Sequence, residues 1–154
     1  MSETLVTKLV EATHEVFETM VFRTLAQGDP VPDAQGAPKS NVVGTVGFAG
    51  SASGLVAFYS TLDAAKEITG AMLGMEVNEL GEDVKDAIGE ITNMVAGGLK
   101  VSLTECGRRI ELAIPTTAIG KSIRTSGLSG ASLARVPFAT PQGRFWVELR
   151  YILS

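Results

Sequence analysis

Residues 82–105, EDVKDAIGEITNMVAGGLKVSLTE, form a long helical pattern around which the rest of the chain can be organised. Apolar side chains recur at spacings of three and four residues, the period of one face of an α-helix. Gly107 follows this pattern and supplies a glycine where a left-handed C-terminal cap is favoured. We therefore predict a helix over 82–105 that packs on a sheet through one apolar stripe: Val84, Ala87, Ile88, Ile91, Met94, Val95 and Leu99.

A second face of this predicted helix carries a polar row. At about 100° per residue, Asp86, Glu90, Asn93 and Gly97 fall close together, roughly opposite the apolar stripe. Like charges four residues apart, such as Asp86 and Glu90, cost a few tenths of a kcal/mol in an isolated helix. Glu90 has no Lys or Arg three or four residues away, so its charge lacks a partner within the helix. Simple solvation of these positions remains an alternative interpretation.

Two adjacent glycines interrupt the same helix. Gly97 and Gly98 each cost roughly 1 kcal/mol relative to alanine in a helix interior. Gly98 falls toward the apolar side, where it would permit close packing of the helix on the sheet. Gly97 falls in the polar row, where a bare backbone suits the approach of another macromolecule.

The segments before this helix predict one further long helix and a hairpin. Residues 3–24 have the apolar spacing of an amphipathic helix. Residues 26–40 are rich in Gly, Pro and Asp and predict a loop. Residues 41–48 and 54–60 predict two strands joined by a longer loop over 49–53, and the glycines there lack the Gly-Lys-Ser/Thr of a phosphate-binding loop.

The segments after the helix predict more strands. Residues 109–115 predict a strand that ends at Pro115, and the small, polar, glycine-punctuated residues 116–132 predict a partly mobile loop. Residues 134–140 and 144–152 flank Pro-Gln-Gly, a strong hairpin signal. In the second of these strands, successive side chains point to opposite faces of the sheet. One face carries Phe145, Val147, Leu149 and Tyr151, and the other carries Trp146, Glu148 and Arg150.

A short helix over 62–73, with Thr61 as its N-cap and Gly74 at its end, completes the elements. Hairpins interspersed with long helices indicate an α+β layer architecture. We therefore predict two long helices and a short helix layered on a mainly antiparallel β-sheet, in a single domain over 1–154.

Composition excludes several classes of function. The net charge is −4, from 17 acidic and 13 basic residues, which argues against a nucleic-acid partner. No apolar run approaches the ~18 residues that span a membrane, and no secretory signal is visible, so we expect a cytoplasmic protein without membrane association. One cysteine, Cys106, and one histidine, His14, leave little for a zinc site, and we predict no bound metal.

Several motifs together resemble a known family. The spacing Asp86-x-x-x-Glu90-x-x-Asn93, followed about twenty residues later by Pro115, is similar to the signature of the CheC/CheX/FliY phosphatases of bacterial chemotaxis. The surrounding stretches EATHEVFETM, DAIGEITNMVAGGLK and IPTTAIGKS agree with it. A single complete E-x-x-N motif makes the chain most similar to the CheX members.

The resemblance implies a phosphatase that acts on another protein. Its substrate would be the aspartyl phosphate of CheY or a CheY-like response regulator, which we call the receiver. The Mg²⁺ near that phosphate would be bound by the receiver, and this chain would hold no cofactor. Asn93 would orient the attacking water, and Glu90 would pair with a receiver lysine near the phosphate. Asp86 and Gly97 would lie in the partner-binding surface, with Gly97 letting the receiver approach the helix.

The resemblance leaves a second function open and implies self-association. A non-catalytic scaffold of the same fold, binding a receiver or a flagellar switch, is the alternative to a phosphatase. Two-site members carry another E-x-x-N on the first helix, but here the aligned series is Glu11, Glu15 and Glu18, so we predict no catalysis there. The spacing of Glu11, Glu15 and Glu18 in the first helix matches that of Asp86, Glu90 and Asn93 in the second long helix, which would also fit an internal duplication. The family further implies a homodimer, for which residues 144–152 could supply a sheet edge.

Overall fold

Three helices pack on an eight-stranded antiparallel sheet in the computed structural model of the chain, which describes residues 2–32, 34, 36, 38–120 and 131–153. This confirms the predicted α+β class. The helices are α1 (Ser2–Val16), α2 (Leu62–Leu73) and α3 (Glu82–Glu105). The strands are β1 (Ala26–Gln27), β2 (Val31–Pro32), β3 (Val42–Gly50), β4 (Ala52–Ser60), β5 (Ile110–Leu112), β6 (Thr116–Ile119), β7 (Ser132–Ala139) and β8 (Arg144–Leu153).

Two hairpins form the middle of the sheet and meet through β4 and β8. The strand order is β1-β7-β8-β4-β3-β5, with β2 also paired to β7 and β6 also paired to β3. Val56 lies opposite Leu149 at the junction of the two hairpins. Because β8 is hydrogen-bonded on both sides, the prediction that residues 144–152 supply an open edge is wrong.

The core lies between the helices and one face of the sheet. Phe17 stacks on Phe145 with ring centroids 4.8 Å apart, and Phe58 stacks on the same ring at 4.7 Å. The predicted alternation in β8 is confirmed, because its four aromatic and aliphatic residues from Phe145 to Tyr151 all join this core. On the other face, Glu148 is fully buried and accepts hydrogen bonds from Arg135 and Arg150.

The first helix ends earlier than the sequence predicts. Its α-helical part stops at Val16, and a π-helical turn follows over Phe17–Val21. A π-helical turn holds one residue more than an α-helical turn. Here it allows both Phe17 and Val21 to be buried, at 1% and 0% exposure. Phe22 then adopts the left-handed conformation, and its N–H donates to the Phe17 carbonyl oxygen at 2.7 Å.

Three segments predicted as loops contain strand residues, and two of them lie beside β3. Ser51 alone separates β3 from β4, because Gly50 turns the chain with a φ of 142° and so removes the need for a longer loop. Within 116–132, the β-branched start is the strand β6, whose Thr116 hydroxyl lies 2.6 Å from that of Thr45. Residues 121–130 of that predicted loop lie outside the described residues, and its last residue, Ser132, begins β7.

The predicted loop over 26–40 also contributes to the sheet. Its residues Ala26–Gln27 and Val31–Pro32 pair with β7 and cover parts of that edge. The short helix is confirmed, with Thr61 accepting from the Ala64 N–H at 3.4 Å and Gly74 at its end. In the part of the chain that the structure describes, no helix is both long and apolar enough to cross a membrane.

Candidate functional site

Helix α3 is seated on the sheet by its apolar stripe. Val84, Ile88, Ile91, Val95 and Leu99 are all fully buried, whereas Met94 is only partly buried. The predicted apolar stripe is therefore confirmed, and Met94 is its residue nearest the surface. The helix ends as predicted, since Gly107 is left-handed and the next N–H, of Arg108, donates to the Leu103 carbonyl oxygen at 2.8 Å.

Two close contacts fix the height of α3 above the sheet. A Cβ added to Gly44 of β3 would overlap the Thr92 hydroxyl and lie 3.2 Å from the Thr92 Cβ. The Thr92 hydroxyl donates to the Ile88 carbonyl oxygen at 2.7 Å, which holds that side chain in place. Thr117 of β6 donates to the Lys85 carbonyl oxygen at 3.2 Å. Thr92, the residue next to Asn93, therefore packs closely on Gly44 of the strand beneath it.

The outer face of α3 presents the predicted polar row. Asp86 and Glu90 are exposed, and Asn93 and Gly97 are half-buried. Residues three or four apart on a helix have neighbouring side chains, so Glu90 and Asn93 can contact one partner group together. The structure thus brings all four predicted site residues onto one face of one continuous helix, which we call the outer row.

Among the described residues, the lysines of α3 pair with acids outside the outer row. Lys85 lies 3.7 Å from Glu82, and Lys100 lies 3.4 Å from Glu111. Among the described residues, neither Asp86 nor Glu90 takes part in an ion pair or a side-chain hydrogen bond. Glu90 is therefore available to a cation from another molecule.

The two glycines of α3 differ in their packing. A Cβ added to Gly98 would lie 2.7 Å from the Ala12 Cβ, so this glycine allows α1 and α3 to approach closely. Its neighbour is α1, not the sheet, which corrects the partner expected from the sequence. A Cβ added to Gly97 would meet nothing within 4 Å. The fold therefore does not require glycine at 97, although glycine there costs roughly 1 kcal/mol of helix stability.

Val101 extends the outer row and was missed by sequence reasoning. It lies four residues after Gly97 and is 58% exposed. The sequence did contain a signal for Val101. It follows Gly97 by four residues, the same spacing that separates Asn93 from Gly97, so all three fall on one helix face. An exposed valine beside the bare glycine makes this end of the row apolar.

The acidic series on the first helix does not reproduce the outer row. Glu11 lies 3.6 Å from Lys8, and Glu15 lines a groove shared with α3. Glu18 belongs to the π-helical turn and lines a different hollow, beside His14 and Arg23. The His14 Nε2 lies 2.7 Å from the Gln27 Oε1, and among described residues no group of three His, Cys, Asp or Glu could hold a metal ion.

Comparisons with known proteins point to one family. The family model for chemotaxis phosphatase CheX matches residues 42–139. The CheY-P phosphatase CheX of Thermotoga maritima is 28% identical over 125 residues, which cover 80% of this chain and 81% of that protein.

Solved structures show the same fold. The chemotaxis protein CheX of Desulfovibrio desulfuricans superposes with a TM-score of 0.87 at 30% identity, covering 97% of this chain and 99% of that one. The CheX of Borrelia burgdorferi, solved as a CheX–CheY–BeF3–Mg²⁺ complex, superposes with a TM-score of 0.82 at 20% identity, covering 95% and 96%. The family match spans more than half of the sequence and includes the whole of α3, and the chain accordingly belongs to the CheX family of chemotaxis phosphatases.

Proposed function

We propose that this chain accelerates hydrolysis of the aspartyl phosphate of a CheY-like receiver. The observation that carries the proposal is the outer row, in which Glu90 and Asn93 stand side by side on a firmly seated helix without partners among the described residues. Membership of the CheX family supports the same reaction. The substrate is a phosphoryl group on another protein, so the proposed site is an exposed helix face on which that protein docks.

Asn93 is proposed to orient the attacking water. Its amide oxygen can accept a hydrogen bond from water while its NH₂ group donates to a neighbouring acceptor. The water oxygen forms a bond to phosphorus as the bond from phosphorus to the receiver aspartate breaks, which yields inorganic phosphate and free aspartate. Placement of the nucleophile supplies much of the catalysis in phosphoryl transfer, and an amide supplies it without adding negative charge.

Glu90 is proposed to anchor the receiver. An exposed carboxylate with no described partner can form a charge-assisted hydrogen bond with a receiver lysine near the phosphate. Asp86, one turn earlier, adds to the same negative field, and Gly97, one turn beyond Asn93, leaves room for the receiver backbone. The Mg²⁺ that neutralises the phosphoryl group belongs to the receiver, and this chain is proposed to bind no cofactor.

The test compares phosphate loss from a phosphorylated receiver with the parent protein and with Asn93→Ala. Each CheY-like receiver of the same genome is phosphorylated with a small-molecule donor, the donor is removed, and the remaining phosphate is followed in time. We expect the parent to accelerate the loss and Asn93→Ala to reduce the acceleration by about 100-fold or more, since water placement is lost. Asn78→Ala, which removes an amide outside α3, is the matched control and should retain full activity.

The same experiment decides between the phosphatase and the scaffold. A scaffold would bind receivers without changing the lifetime of the phosphate, and Asn93→Ala would then behave as the parent does. Full activity of Asn93→Ala in an active parent would instead remove Asn93 from the mechanism while leaving the phosphatase assignment in place.

We also propose that the protein acts as a homodimer in the cytoplasm, where CheY-like receivers function. Since β8 is an interior strand, the described strands available for self-association through the sheet are β5 and β6 at one side and β1 and β2 at the other. Sedimentation at micromolar concentration should give the mass of two chains. A monomer under those conditions would contradict the dimer without affecting the phosphatase proposal.

A further inference from the structure

A groove of about 520 Å³ runs between α1 and α3 and begins at the outer row. Gly97 belongs to both features, because it follows Asn93 by one turn and also lines the groove. The lining is mostly apolar or small: Ala12, Val16, Met94, Gly97, Gly98 and Val101. Val101 is 58% exposed on the groove wall, and the described part of the chain leaves this apolar surface open to solvent.

The groove is flanked by negative charge. Glu15 of α1 and Glu105 of α3 line it, and both are exposed. Neither is ion-paired with any described residue, and the neighbouring Glu90 is also free of described partners. An apolar hollow between unpaired carboxylates is complementary to an apolar side chain that has Lys or Arg beside it.

The size of a protein interface supports use of this groove by the receiver. A specific interface of standard size buries about 800 Å² on each partner and involves about 20–30 residues a side. The outer row contributes only a few side chains along one helix, which is too little for such an interface. A receiver that places its phosphoryl group at Asn93 therefore also covers surface within one helical turn, or about 5.4 Å, of that residue. The end of the groove at Met94 and Gly97 lies in that surface, and Val101 continues the apolar wall about two helical turns beyond Asn93.

We propose that the groove between α1 and α3 is the specificity pocket for the receiver. It accepts one apolar side chain from the receiver surface next to the phosphorylation site, while flanking receiver lysines or arginines pair with Glu15 and Glu105. The inference rests on the proposed function, because the outer row places the receiver over the groove. The apolar and basic segment of a receiver would then determine which receiver binds, whereas Asn93 acts at the phosphoryl group.

The test uses Val101→Arg, which puts a long cation into the groove without touching Glu90 or Asn93. Binding is measured against receivers loaded with Mg²⁺ and beryllofluoride, a mimic of the phosphoryl group. We expect Kd to rise by about tenfold or more, because an apolar contact is replaced by like charge.

Leu73→Arg is the matched control. Leu73 is a 49% exposed leucine on α2, so the variant makes the same change of charge on a helix outside the groove. Its Kd should equal that of the parent. A second pair of variants, Glu15→Gln and Glu105→Gln, should lower the association rate and flatten its dependence on salt.

The outcomes separate this inference from the function on which it rests. If the parent binds and dephosphorylates a receiver but Val101→Arg binds it with unchanged Kd, the groove is not part of the interface. Equal losses for Val101→Arg and Leu73→Arg would likewise overturn the pocket, because charge alone would explain them. If the parent neither binds nor dephosphorylates any receiver, the proposed function and the pocket are both wrong.

Discussion

Gly98 of α3 lies against Ala12 of α1 so closely that an added Cβ would come within 2.7 Å of the Ala12 Cβ. Gly97, the preceding residue, has no atom within 4 Å of the corresponding position. The two glycines therefore serve different purposes. Gly98 is required by the packing of two helices, whereas Gly97 is compatible with any small residue as far as the fold is concerned.

Alanine at each position should have opposite effects on stability. We expect Gly97→Ala to raise the free energy of unfolding by about 0.5–1 kcal/mol, because alanine forms helix better than glycine and finds open space. Gly98→Ala should lower it by about 1–3 kcal/mol, because α1 has to move away. Urea denaturation measures both. Gly97→Ala should still weaken receiver binding, and an unchanged affinity would remove Gly97 from the partner surface.

Reversing the charge of Glu90 should weaken receiver binding while leaving the fold intact. In Glu90→Lys an exposed cation faces the receiver lysine that the parent carboxylate is proposed to pair with, so Kd should rise by about tenfold or more at low salt. The difference should shrink as salt screens the repulsion. Glu79→Lys, an exposed position before α3, gives the same net charge and should bind normally. Equal affinity of the Glu90→Lys variant and the parent would rule out the anchoring role.

Gly44 of β3 should control activity from beneath the helix. Gly44→Ala places a methyl group against Thr92, so α3 has to shift, and we expect a loss of about 1–3 kcal/mol in stability. Because Asn93 adjoins Thr92, phosphate release at saturating receiver should also slow by about tenfold or more. Gly47→Ala is the control on the same strand, since its Cβ would lie 3.8 Å from the Ala113 Cβ in ordinary contact. Parent-like turnover by Gly44→Ala would contradict the positioning argument.

Introducing an asparagine on the first helix should not create a second active site. Glu18→Asn completes an E-x-x-N spacing that starts at Glu15, but residue 18 lies in the π-helical turn and lines a different hollow from Glu15. The double variant with Asn93→Ala is therefore expected to be as inactive as Asn93→Ala alone in the dephosphorylation assay. Restored acceleration in the double variant would show that the two helices offer equivalent surfaces.

The spacing of apolar residues predicted the helix that carries the site, because α3 keeps the same helical period along its whole length. Its apolar side chains face the core, its glycine cap follows at Gly107, and the polar residues are left on the outer face. The position of Asn93 on that face could therefore be read from spacing alone. Its proposed role could not, because E-x-x-N is short and became specific only together with the family motifs.

The features that the sequence did not predict depend on neighbours far along the chain. The π-helical turn buries both Phe17 and Val21, and Phe17 stacks on aromatic residues of β4 and β8. The central place of β8 depends on its pairing with β4, about 90 residues earlier, which a local β pattern does not encode. Likewise, the groove beside Gly97 exists only because α1 is packed next to α3.

The unpaired carboxylates of the outer row also bear on how a reaction cycle would end. Asp86 and Glu90 repel anions, and no lysine of α3 is directed at them among the described residues. The described residues of this face would therefore disfavour binding of the inorganic phosphate that leaves a receiver. Product retention by this chain would not limit turnover, and cellular phosphate would compete poorly for its surface. Small phosphomonoesters, which bring no cations of their own, would be rejected for the same reason.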